Sequence, residues 1–288
     1  MLSPRLLVIS LIAVVCMSAV PVLVKSTAAN EVTIGLARLF IAAMLMTPLV
    51  LARGSLKTLG IAQIKSLTAI GAVFSLHWLS YFLSIKLSTA SIGAMAISTF
   101  GIQYLLLARI LNKEYTGTVE WCAVALCLLG CILAVGEFSL SSSSVLGMLV
   151  GVASGTLYAS LPLLHQRASA IDTVTRAWGQ FTFALCCMLP LIGFSDWHLS
   201  SNDYISLLVL GVLCTVIAHG LWIKASTELP AIATSLVYYL YVPIAMLSSA
   251  WFLEETMTAG KLIGAALILG SSIGVTLYRF RRASLSNE

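Results

Sequence analysis

Apolar runs of about twenty residues, separated by short polar breaks, recur along the whole chain. A helix that crosses about 30 Å of hydrocarbon needs roughly 20 such residues. Runs of this kind centre on residues 6–24, 32–51, 67–85, 89–110 and 119–135, and again on 146–164, 176–194, 205–223, 231–253 and 262–278. The pattern predicts an all-α membrane protein of ten transmembrane helices. Joins near Ser88 and Ser226 are tight, and the longest connections, residues 52–66 and 195–204, are too short for a soluble domain. The first run follows Arg5 but is long for a signal-peptide core and lacks a small-residue cleavage site, so it reads as the first span.

Composition agrees with lipid as the main solvent. Of 288 residues, 9% are charged and 59% hydrophobic, with a mean hydropathy of +1.01. A soluble domain carries about 25% charge. With a cytoplasmic N-terminus, one side of the membrane receives Arg5, Arg53, Lys57, Lys65, Arg109, Lys113, Arg167, Arg176, Lys224, Arg279, Arg281 and Arg282. The other side receives only Lys25, Lys86 and Lys261, and Arg38 lies within a span. That asymmetry predicts a multi-pass protein of the cell inner membrane with both termini cytoplasmic. No basic stripe with interleaved aromatics is present, which excludes nucleic acid as a partner. The seven cysteines all sit in apolar runs without metal-type spacing, so neither a metal nor any other cofactor is expected.

Self-comparison shows an internal duplication. Pro21 and Pro162 stand 141 residues apart, Pro48 and Pro190 142, and Glu114 and Glu255 141. The chain divides into a first five-helix repeat over 1–138 and a second over 145–282, joined by a serine-rich linker and followed by a disordered cytoplasmic tail over 283–288. Five is odd, so the second repeat enters the membrane inverted. Two inverted repeats can exchange conformations and open one midplane site to either side, which gives alternating access a structural basis. A duplicated scaffold without a transport role stays open as an adaptor reading.

The segment WFLEETMTAGKLIGAALILGSSIGV with the upstream YYLYVPIAM resembles the end of an EamA-type transporter of the drug/metabolite transporter superfamily. ARLF at Arg38 resembles that family's second-span signature, and LHWLSYFLSIKLSTASIGAMAI its hairpin between the third and fourth spans. The resemblance implies a membrane carrier of small metabolites, with the fifth and tenth spans outside the central bundle. It departs near Gly101 to Gln103, where the family has a proline corresponding to Pro243.

Candidate site residues follow from what hydrocarbon penalises. A cation in mid-span costs roughly 2.5–3.5 kcal/mol on insertion scales and normally faces a cavity or a partner. Arg38 therefore either binds a substrate carboxylate or phosphate, or ties helices together through carbonyls or through its repeat counterpart Gln180. His77 and His219 are either proton carriers or satisfied interhelical contacts. Trp78 and Tyr81 share a face with His77, and Gln103, Tyr158, Tyr238 and Tyr241 add polar and aromatic lining. Tyr238 and Tyr241 precede Pro243, whose missing N–H is expected to bend the ninth span and free a carbonyl. Pro21, Pro162, Pro243, Glu114 and Glu255 are assigned structural roles. No Asp or Glu lies deep in a span, which argues against a small-multidrug-type carrier of cations. Glycines at 147, 151 and 155 and at 270 and 274 mark close helix packing, with a homodimer as one use of the latter.

The expected function is export or exchange of a small polar metabolite, most plausibly an amino acid, without catalysis. The enzyme alternative rests on Ser154 in VASGTLY with His219 as its base. That segment lacks the glycine two residues ahead of the serine that an intramembrane protease carries.

Overall fold

A computed structural model describes residues 4–112, 117–135, 142–229 and 236–285. Glu114, part of the serine-rich linker and the start of the ninth span lie outside them. The described regular structure is all helical. The helices are α1 Pro4–Ser18, α2 Val20–Ser26, α3 Glu31–Arg53, α4 Ile61–Leu87, α5 Ala90–Ser98, α6 Phe100–Asn112 and α7 Thr118–Val135. After the linker come α8 Ser143–Arg167, α9 Thr173–Met188, α10 Ser201–Gly211, α11 Ala218–Glu228, α12 Tyr241–Phe252 and α13 Ala259–Leu285.

Among the described residues, 8 helical segments are long and apolar enough to cross a membrane. α5 with α6, and α12 with a lead-in from Leu236, supply the fourth and ninth crossings. Polar side chains set where several of these helices begin. Asn30 accepts from the Thr33 amide at 2.9 Å, Thr89 from Ile92 at 3.2 Å, and Asp172 from Val174 and Thr175, both at 3.1 Å. Ser200 and Asp203 cap α10 reciprocally. Each satisfies amides that a helix start leaves unpaired.

Four crossings carry an interruption of their α-helical pattern. The first is interrupted at Ala19, and Pro21 is the second residue of α2. The fourth breaks at Thr99 without any proline; the Thr99 hydroxyl donates to the Ala96 carbonyl instead. The eighth passes through a π-helical turn at Val212–Ile217, and the ninth through a turn at residues 239–240. Pro243 sits in the first turn of α12, where an amide has no intrahelical partner to lose. The ninth crossing turns at residues 239–240, directly ahead of α12, so the bend expected of Pro243 falls within the turn that precedes it. The paired prolines also differ: Pro21 opens α2, whereas Pro162 lies within unbroken α8.

The glycine stripe of α8 packs inward. Gly147 lies against Ser84 and Ser88, Gly151 against Ser84 and Ala96, and Gly155 against Thr99 and Gln103. Outside this bundle α7 and α13 pack chiefly against each other. Their close approach is made by Gly130 and Gly264, not by Gly270 and Gly274, which meet nothing within 4 Å. A side chain at Gly264 would put its Cβ 2.5 Å from the Gly130 carbonyl oxygen, and backbone cannot step aside. Gly264→Leu is expected to cost about 1–3 kcal/mol by overpacking and to lower the thermal midpoint in detergent. Gly270→Leu should leave that midpoint unchanged.

Large apolar side chains such as Phe40, Met44, Leu128, Leu247 and Trp251 are exposed, while Arg38, His77, His165, Arg176 and Gln180 are buried. That arrangement suits a multi-pass membrane protein surrounded by lipid. α13 continues to Leu285, so the segment expected to be disordered from residue 283 begins as helix.

Candidate functional site

Residues flanking these interruptions meet around one buried chamber. It is lined by Met17, Val20, Arg38, His77, Trp78, Tyr81, Phe82, Ile97, Tyr158, His219, Tyr238 and Tyr241. Eight of the ten residues singled out in the sequence line it. The space within is about 20 Å³ by the centre of a water-sized sphere, room for about one water molecule. All of these lining residues are buried.

Arg38 projects from the middle of α3 and is fully buried. Its Nε donates to the Thr215 hydroxyl at 3.0 Å and its Nη2 to the Cys214 carbonyl at 3.4 Å. The π-helical turn makes that carbonyl available. In an α-helix the Ala218 amide would bond to Cys214, but here it reaches back to Leu213. The Thr215 hydroxyl in turn donates to the Leu210 carbonyl at 2.7 Å. The guanidinium carbon lies 4.0 Å from the Trp78 ring centre and 5.2 Å from that of Phe82, so two aromatic faces hold the cation. Nη1 is buried without a hydrogen-bond partner, and among the described residues no carboxylate pairs with Arg38. The guanidinium thus presents one unused donor group in the chamber wall.

The remaining wall is aromatic. Tyr81 and Tyr241 hydrogen-bond through their hydroxyls. Tyr241 stacks on Tyr238 at 5.5 Å, and Tyr238 meets Phe100, Tyr158 and Trp222 at 4.9, 5.6 and 5.3 Å. His77 stacks on Tyr158 at 4.7 Å. Its partner is Ser154: the Ser154 hydroxyl donates to the His77 carbonyl at 2.8 Å, so His77 Nδ1 donates to that hydroxyl, also at 2.8 Å. This reciprocal pair joins α4 to α8. The histidine bonded to Ser154 is therefore His77 and not His219, contrary to the pairing the enzyme alternative required.

Two candidates sit elsewhere. Gln103 lies behind the chamber, donating to the Val152 carbonyl at 2.9 Å. Gln180 does not touch Arg38; its Oε1 accepts from His165 Nε2 at 2.7 Å. Those two residues belong to a second small chamber lined also by Phe74, Tyr158, Leu161, Pro162, His219, Trp222, Ile223 and Ser226. Hydropathy ends the sixth span at residue 164 and so passes over His165, whereas α8 runs to Arg167.

Polar fasteners close both ends of the bundle. At one end Lys25 Nζ donates to the carbonyls of Ile85, Lys86 and Ser88 at 3.0, 3.1 and 2.5 Å, and Lys86 Nζ donates back to the Thr27 carbonyl at 2.5 Å. Asp203 accepts from the Thr27 hydroxyl and the Ala28 amide at 2.8 and 2.9 Å. Glu255, at the same end, accepts from Lys261 at 2.7 Å and from the Ser91 amide at 3.1 Å. Burial opposes the Glu255 carboxylate, but Lys261, Thr89 and Ser91 outweigh it and hold its pKa below the ordinary range. At the other end Arg176 donates to the His165 carbonyl and to Thr227 at 2.9 and 3.3 Å, joining α8, α9 and α11.

Comparison with known proteins adds two kinds of likeness. The family model described as the EamA-like transporter family matches residues 5–136 and 145–277. The uncharacterized transporter YwfM of Bacillus subtilis (strain 168) is 25% identical over 194 residues, covering 66% of this chain and 65% of that protein's length. A solved crystal structure superposes with a TM-score of 0.65 over 96% of this chain and 98% of its own, at 19% identity, a likeness of fold.

Proposed function

The chain belongs to the EamA-like transporter family, and from that premise we propose that it carries a small carboxylate-bearing metabolite, an amino acid or close relative, by alternating access. One observation carries the reading: Arg38 is buried in the chamber wall, and among the described residues its Nη1 has no partner and no carboxylate pairs with it. An uncompensated cation in a lipid-embedded interior is costly, and a ligand that brings the missing anion removes the cost. The planar guanidinium suits the two oxygens of a carboxylate. Aromatic rings around it suit an apolar side chain, and a positive wall disfavours cationic drugs.

The two matched halves fit the division into inverted five-helix repeats over 1–138 and 145–282. The lysine-bearing end then faces outward and the Arg176 end the cytoplasm, in a bacterial-type inner membrane. With polar contacts at both ends and the chamber's lining buried, this conformation fits an occluded stage of the cycle. Stopped-flow uptake into liposomes loaded with a panel of amino acids tests the proposal. Saturable flux above empty vesicles for at least one amino acid is the expected result; flux indistinguishable from empty vesicles across the panel overturns it.

A further inference from the structure

We infer that the second chamber is a separate subsite, in which His165 accepts a hydrogen bond from the amino group of the transported substrate. The inference rests on the proposed carboxylate-bearing substrate. Its position follows from the order of residues along three helices. On α4 it takes Phe74 where the first chamber takes His77 to Phe82; on α8 it extends from Tyr158 to His165; on α11 from His219 to Ser226. All three run toward the end that Arg176 seals. Tyr158 and His219 form the shared wall, so the two chambers abut, and anything passing between Arg38 and the Arg176 end goes by His165.

The chemistry of His165 is fixed by its neighbours. The side chain is buried, 3% exposed. Nε2 donates to Gln180 Oε1, which places the ring proton on Nε2 and leaves Nδ1 as a bare acceptor. Nδ1 is buried with no hydrogen-bond partner among the described residues. A buried acceptor without a donor is a cost that a protein rarely carries unless a ligand or water relieves it. Arg176 holds the carbonyl of the same residue, fixing its backbone. The first chamber thus holds a donor, Arg38 Nη1, without an anion, and the second an acceptor, His165 Nδ1, without a donor among the described residues. An α-amino acid supplies both, and the same acid without its amino group supplies only one.

The test measures binding to purified protein in detergent by thermal shift and calorimetry. The probes are the standard amino acids and, for each that binds, the acid with hydrogen in place of the amino group. The parent protein is expected to prefer the amino acid by about tenfold or more. His165→Leu should abolish that preference by weakening the amino acid alone. His165→Gln, whose amide reaches toward the Nε2 position, should do the same. His165→Asn presents an oxygen near the Nδ1 position and should keep the preference, which guards against a variant that merely fails to fold. Preference unchanged in His165→Leu and His165→Gln, or both acids weakened equally, overturns the subsite while leaving the carrier reading intact. A parent protein that binds no acid of either kind overturns the carrier reading itself.

Discussion

Arg38→Met is expected to abolish high-affinity binding and saturable flux of the carboxylate substrate while leaving the fold at least as stable as the parent. Truncating one member of a buried, hydrogen-bonded charge pair costs about 2–5 kcal/mol, which is roughly 30- to 4,000-fold in affinity. The stability side has the opposite sign. Arg38 makes two hydrogen bonds and two ring contacts but has no counter-ion among the described residues, so methionine removes a desolvated charge and refills most of its volume. A purely structural Arg38 predicts the reverse pattern, a lower thermal midpoint with affinity kept. Arg38→Lys separates charge from shape. Lysine keeps the cation but loses the fork that reaches Thr215 and Cys214 together and the flat face over Trp78, so binding should fall between parent and methionine. Undiminished affinity in Arg38→Met would sink the anion-site reading.

The parts of this site that were legible in the sequence are those whose signal is local. Polar residues stand out against an apolar background, so Arg38, His77 and His219 could be found from single positions. Trp78 and Tyr81 followed from helical spacing, and all five line the chamber. What stayed hidden depends on backbone events that hydropathy does not encode. VLCTVI reads as uninterrupted membrane helix, yet its π-helical turn is what turns the Cys214 carbonyl toward Arg38. The fourth span bends at Thr99 with no proline to announce it, and Gly101 then lets α6 come up against Tyr239. Repeat arithmetic matched Gln180 to Arg38, but a duplicated position inherits a place in the fold and not a partner. The two residues came to serve different chambers. His165 was lost for the plainest reason: the flanking Gln166 and Arg167 lower the hydropathy, and the span was cut one residue short of it.

Replacing Lys25 and Lys86 together by alanine is expected to open the chamber at their end. These lysines exchange four hydrogen bonds with the chain end opposite each, and three of the acceptors are carbonyls at or just beyond the C-terminus of α4. Such carbonyls have no intrahelical donors, and the helix dipole adds to their attraction for a cation. Without the lysines the α2 end keeps the Asp203 contacts to Thr27 and Ala28, which tie it to α10 and not to α4. Hydrogen bonds to charged groups contribute about 1.5–3 kcal/mol each, so losing even one net bond shifts a two-state equilibrium about tenfold. The readout is thiol modification in detergent, with the native cysteines replaced. A cysteine at Ile97, in the first chamber, should react about tenfold faster in the double variant, since opening exposes it to water. A cysteine at Ser226, beyond His165 toward the Arg176 end, should react no faster, because inverted repeats that open on one side close on the other. Acceleration at both positions would mean general loosening, and acceleration at neither would mean that the lysines brace the bundle without gating it; both results contradict a latch.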